Sequence, residues 1–133
     1  MPINISWKLN VQIQSGPTLA IGNSLQVDAF DRIELTVPDT TATPTATTVN
    51  VQPGAVGKVS FLLIRSNRYG DNLKYRVHDA TTAQRSLNDA IFLVGAGGLD
   101  LMEDPLVPLD QLLVTNTTGQ PAVIEIIVGR KAT

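Results

Sequence analysis

The segment Val94-Gly95-Ala96-Gly97-Gly98-Leu99-Asp100 comes nearest to a recognisable chemical pattern. A Gly-rich turn after a strand can lay backbone amides against a pyrophosphate at a helix start. Here Asp100 stands where the third glycine of that fingerprint belongs. Pro105 and Pro108 follow, and they exclude the long helix the fingerprint needs. A turn or bulge is the expected structure. His78 is the only histidine, so any imidazole dyad or triad would be built around it, and no Gly-x-Ser-x-Gly is present. At a strand end, with Val77 and Asp79 projecting from the opposite face, His78 is expected on the solvent side. Asp100, Glu103 and Asp104 form a tight carboxylate cluster, and oxygen ligands of this kind suit calcium. EF-hand spacing is lacking, however. Glycoside hydrolysis by paired carboxylates would need sugar-stacking aromatics, and only 5% of the chain is aromatic. The three carboxylates are therefore weak metal candidates. An acidic loop, solvated or at an interface, is the expected reading. No catalytic residue, no metal and no cofactor is expected.

Composition narrows the function classes further. The chain has 133 residues, 43% hydrophobic and 17% charged, with a net charge of −2. One domain of this size buries enough surface for a core without staples. The acidic balance argues against a nucleic-acid partner, which requires a dense basic footprint. With no cysteine, disulfide, thiolate and zinc–thiolate chemistry are excluded. The first residues alternate polar and apolar, unlike a signal peptide, and no stretch approaches about 18 apolar residues. A soluble protein made in a cytoplasm, with no membrane partner, is expected.

The elements are those of an all-β chain. Ile3, Ile5, Trp7, Leu9, Val11 and Ile13 alternate with polar residues, the period of a half-buried strand, until Ser15-Gly16-Pro17 ends it. Leu25, Val27 and Ala29 alternate weakly; Ile33, Leu35 and Val37 do so again. Residues 58–65 and 90–94 are apolar runs that read as strands covered on both faces. Leu73, Tyr75 and Val77 mark another strand. Residues 111–116 and 122–128 flank the turn Thr117-Thr118-Gly119-Gln120 as a closing hairpin. Residues 79–89 are the best place for a short helical turn, and 99–110 read as an irregular connection. About eight strands with little helix predict one antiparallel β-sandwich of jelly-roll type over 1–133. Trp7, Leu9, Val11, Phe61, Leu63, Ile91, Leu93, Ile124 and Ile126 are the expected core.

Two further features bear on association. The tract 39–48, Asp-Thr-Thr-Ala-Thr-Pro-Thr-Ala-Thr-Thr, has nothing to build a core. It fits an exposed loop, and equally an arm over a neighbouring subunit. Charge is also uneven. Residues 58–85 carry Lys58, Arg65, Arg68, Lys74, Arg76 and Arg85 against Asp71 and Asp79. Residues 86–133 carry Asp89, Asp100, Glu103, Asp104, Asp110 and Glu125 against Arg130 and Lys131. Such a split suits head-to-tail or ring-like self-association, unless the charges interleave on folding. Asn4-Ile5-Ser6 and Asn116-Thr117-Thr118 match the glycosylation sequon by chance.

The segments KVSFLLIRSNRYGDNLKYRV, IFLVGAGGLDLM and LLVTNTTGQPAVIEIIVGRKA resemble small β-sandwich structural proteins of tailed bacteriophages, capsid decoration (cement) proteins above all. The likeness spans roughly residues 58–131 and is carried most by the closing hairpin. It implies an oligomer on the capsid surface of a virion, with the major capsid protein and itself as partners, made in the host cytoplasm. A trimer is the first expectation. Arg65, Arg68, Asp100 and Glu103 are the expected contacts between subunits or with the shell. The alternatives are a tail or fibre component and a small carbohydrate-binding module. The last would need an aromatic platform drawn from Trp7, Tyr69 and Tyr75.

Overall fold

The computed structural model describes residues 3–51, 59–99 and 109–131. The period-two run at the start forms strand β1, Ile3–Gln12. It pairs antiparallel with β2, Thr18–Val27, through ten unbroken pairs from Ile3 opposite Val27 to Gln12 opposite Thr18. Ser15 takes φ 60° in the connecting turn, and the Gly16 N–H donates to the Ile13 carbonyl at 2.9 Å. At Asp28, whose N–H donates to the Arg130 carbonyl at 2.8 Å, the chain bends into β3, Ala29–Val37.

Eight strands make the sandwich: β3; β4, Ala46–Asn50; β5, Val59–Ser66; β6, Gly70–Val77; β7, Arg85–Leu87; β8, Ile91–Val94; β9, Gln111–Asn116; and β10, Ala122–Arg130. One sheet runs β3-β10-β5-β8 and the other β4-β9-β6-β7. The antiparallel pairs β3–β10, β4–β9, β5–β8 and β6–β7 are successive rungs of one long folded ribbon. The pairs β10–β5 and β9–β6 close it into two sheets. That winding is a jelly roll, as the turn spacing predicts.

Alternation fills the space between the sheets. Leu62, Ile64, Ile124, Ile126 and Val128 point inward from one sheet. Leu73, Tyr75, Val77, Leu112 and Val114 meet them from the other. At the closing hairpin Asn116 is fully buried, and its side chain organises the turn. Its amide nitrogen donates to the carbonyls of Val37 (3.1 Å) and Gln120 (2.7 Å). Its oxygen accepts from the Thr118 N–H (3.0 Å) and hydroxyl (2.7 Å).

Several expectations need correction. There are ten strands among the described residues against about eight expected; β2 starts well before Leu25, and β7 falls in the stretch expected to turn as helix. Residues 79–89 hold no helix. The Asp79 carboxylate accepts from the Thr81 N–H (2.8 Å) and hydroxyl (2.5 Å), and the Thr82 hydroxyl donates to the Val77 carbonyl at 2.6 Å. Local side-chain bonds of this kind compete with helix and make a turn. The Gly-rich segment instead forms the five-residue helix α1, Gly95–Leu99, entered through Gly95 at φ 79° and anchored by buried Leu99. Leu9 and Val11 are exposed, not core, because the hairpin runs beyond the sheet it rests on. Phe61 is buried, but it faces away from the inter-sheet core, and Leu63 on the same face is half-buried. Ile124 and Ile126 lie in the core, with Ile91 and Leu93 packed against it. The tract 39–48 is exposed apart from half-buried Thr40 and Thr47, and from Ala46 on it belongs to β4. The Asp39 carboxylate accepts from the Gly119 N–H (3.0 Å), and the Thr40 N–H donates to the Asn116 carbonyl (2.8 Å). These bonds fasten the loop to its own closing hairpin.

Candidate interaction surface

The face of β3-β10-β5-β8 turned away from the core has two chemically distinct halves. Register places Phe30, Gly129 and Phe61 in one row across the strands, and Arg32, Ile127, Leu63 and Phe92 in the next. Glu34, Glu125 and Arg65 make a third row. The charged half is self-satisfied. Glu125 accepts from Arg32 Nε at 2.8 Å and Arg65 Nε at 2.5 Å, with Arg32 Nη2 bonding both Glu125 and Glu34. The hydrogen bond from Arg32, joined by that from Arg65, holds the Glu125 carboxyl below the usual glutamate range. Arg65 and Glu125 come from the two oppositely charged stretches, and Arg130 reaches Asp31 at 2.7 Å. At these pairs the charges interleave within the molecule.

The apolar half is covered by the base of the β1–β2 hairpin. Gly129 makes this possible. A Cβ built there would stand 2.8 Å from Ile5 Cδ1 and 3.1 Å from Val27 Cγ1, so the missing side chain is the seat of the hairpin. Trp7 meets Phe92 edge to face at 5.3 Å, and Phe92 meets Phe61 in the same way at 5.5 Å. Such contacts add about 0.5–1.5 kcal/mol beyond burial. Between hairpin and sheet an open groove of about 690 Å³ remains, walled by Trp7, Phe30, Phe61, Leu63, Phe92 and Ile127.

The same side-chain phase continues along the hairpin past the sheet. Leu9 stands opposite Ile21 and Val11 opposite Leu19, with Ile13 at the turn. Their exposure runs from 39% at Leu9 to 58% at Ile21. From residue 9 to residue 27 the chain carries no charge. The result is an uncharged apolar arm beside an apolar groove.

Two of the expected contact residues lie among the described ones. Arg65 is committed to Glu125, and Arg68 Nε donates to the Pro121 carbonyl at 3.1 Å. Asp100, Glu103 and Asp104 lie outside the described residues. Trp7 is half-buried, Tyr75 is buried, and the Tyr69 hydroxyl accepts from the Ser66 N–H at 3.0 Å in the β5–β6 turn. These three rings do not share one exposed face. Asn116, the second sequon asparagine, is buried and fully bonded.

His78 departs from its expected setting. It follows β6 with φ 77°, and this turn brings Asp79 back toward the ring instead of across the strand. Nδ1 lies 2.8 Å from Asp110 Oδ1, and Nε2 lies 3.7 Å from Asp79 Oδ2. The hydrogen bond to Asp110 raises the imidazole above the usual histidine range. Among the described residues, no group of three His, Asp or Glu side chains is placed to hold a metal ion. No helix among them is long and apolar enough to cross a membrane. No family model, curated protein or solved structure matches the chain.

Proposed function

We propose that this chain is a structural protein of a virion, a capsid decoration protein that self-associates and binds the shell lattice without catalysing a reaction. The observation that carries the reading is the projecting hairpin with its exposed aliphatic stripe. Exposed contiguous apolar surface on a small protein marks a surface that meets another macromolecule. A two-stranded ribbon alone is at best marginally stable in water, so the outer half of this hairpin is suited to being covered. The jelly roll supports the reading by analogy only, since lectin and enzyme domains share it. Attachment to a lattice through many modest contacts needs no deep pocket, because effective concentration multiplies weak ones.

A homo-oligomer, a trimer in the first instance, sits on the outer capsid surface and contacts the major capsid protein. The test is to mix purified protein with expanded shells that lack it and to sediment them. Protein pelleting at a fixed ratio to the shell subunit, with a raised melting temperature of the shells, is the expected outcome. A protein that stays in the supernatant at every ratio would end the decoration reading. If it then bound a glycan array, the carbohydrate-binding alternative would replace it.

A further inference from the structure

We infer that the outer half of the β1–β2 hairpin is an exchange arm, and that it seats in the apolar groove of a second copy of this chain. The inference builds on the assembly reading and names the surfaces that would make it. Four observations carry it.

The first is chemical match. The groove is walled by Phe30, Phe61, Leu63, Phe92 and Ile127, and the arm presents Leu9, Val11, Ile13, Leu19 and Ile21. The arm carries no charge from residue 9 to residue 27, so it brings no ion of its own into a groove whose lining includes exposed Lys8. The second is continuity. Ile5 and Trp7 at the base of the same stripe already pack on this sheet, at Gly129 and Phe92. The outer half repeats that side-chain pattern with no sheet of its own beneath it.

The third is reach. The ladder from Ile3–Val27 to Gln12–Thr18 has no bulge, so the arm is one unbroken ribbon. Its tip lies roughly 20 Å past Trp7 at about 3.4 Å per residue; Leu9 borders its own groove, and the residues beyond it do not line it. The residues past Leu9 are therefore free to reach the groove of a second copy. Tip and groove are also different surfaces, which makes the contact heterologous and lets it close into a ring.

The fourth is area. Five aliphatic side chains about half exposed present on the order of 400 Å², the size of a functional patch on a monomer. One arm in one groove then buries roughly 800 Å² over both partners, too little for a stable dimer. In a closed ring every subunit gives one arm and receives another. Each subunit is then held by two contacts of roughly 800 Å² each, and both must break for it to leave.

The experiment uses the full chain without shells. Light scattering after size exclusion should give a multiple of 14.2 kDa. Ile21→Glu and Leu19→Glu lie on the exposed arm, so they should give monomers with unchanged circular dichroism. The chain lacks cysteine, which allows a second measurement. Leu19→Cys and Phe30→Cys proteins, mixed and oxidised, should form the mixed disulfide faster than either forms its own. A wild-type protein that remains a 14.2 kDa monomer at all concentrations would overturn the inference. So would an Ile21→Glu protein that keeps the wild-type mass, or a mixed disulfide no faster than the self-pairs. An oligomer that exchanges arms but ignores shells would sustain this inference and sink only the decoration reading.

Discussion

Asn116 shows how much one buried polar residue can specify. Its side chain makes two donations and accepts two, which saturates the ends of β3, β9 and β10. Asn116→Ala would leave several of these groups unpaired, at about 1–3 kcal/mol for each one that stays buried. Urea denaturation should show a stability loss of that order; a change below about 0.5 kcal/mol would mean that water replaces the side chain. Phe61 acts through volume. It is buried beneath the hairpin against Phe92, and Phe61→Ala should cost on the order of 3–5 kcal/mol in the same assay. His78 acts through charge. Its folded pKa is raised, chiefly by the bond to Asp110 and further by the charges of Asp110 and Asp79. The stability this contributes is complete below the ordinary histidine pKa and fades as pH rises through the folded value. An NMR titration should therefore find the His78 midpoint above that of a free histidine. In Asp110→Asn the midpoint should fall back toward it. An unshifted wild-type midpoint would remove the ion pair from the account.

At the scale of elements, what could be read from the chain depended on side-chain period. Strands β9 and β10 were legible almost to the residue, because Leu112, Val114, Ile124, Ile126 and Val128 alternate around an unmistakable turn. Strand β2 was less so. Leu19, Ile21, Leu25 and Val27 keep the period, but Asn23 interrupts it and Gly22 imitates a break. Gly22 is in fact a close-packing site, where a Cβ would stand 2.9 Å from the Trp7 carbonyl. The helix was misplaced because the hydroxyls at Thr81 and Thr82 prefer bonds to Asp79 and Val77. The exposed stripe of the hairpin was not legible for another reason. Alternation in β1 tells which residues share a face, but not whether a sheet lies beneath that face. Arg65 and Arg68, expected as contacts for their charge, bond to Glu125 and to the Pro121 carbonyl of their own chain, and the Arg65 side chain stays 62% exposed. The arm offers its own check. Limited proteolysis should cut first near the turn Ile13–Pro17 in a monomeric Ile21→Glu protein, and much more slowly in the wild-type oligomer. Equal rates in both would show that the arm is not covered on association.

For the molecule as a whole, the winding joins residues far apart in the chain. Strand β3 pairs with β10, and β4 with β9. Such non-local pairing predicts folding in milliseconds to seconds, slow for a domain of this size. Stopped-flow refolding should show this, and a microsecond phase carrying the full amplitude would contradict it. The far-ultraviolet spectrum should be that of β structure, with helix well under one quarter.

The seat at Gly129 has a mechanical consequence. The hairpin joins the sheet where β2 meets β3 at Asp28, and Ile5, paired with Leu25, bears on the sheet about three residues out from that junction. The end of Ile5 could turn aside from an added methyl. Val27 Cγ1 and Phe61 Cβ, at 3.1 and 3.2 Å, have less freedom. Lifting the bearing point by about 1 Å would swing the far end of the lever by roughly 3–4 Å, given about 3.4 Å per strand residue. Gly129→Ala is therefore a shim that re-aims the arm while leaving its sequence intact. Spin labels at residue 19 and on the sandwich would record the swing as a shifted or broadened distance distribution. A ring closed by such levers would then open, or close with a different number of members.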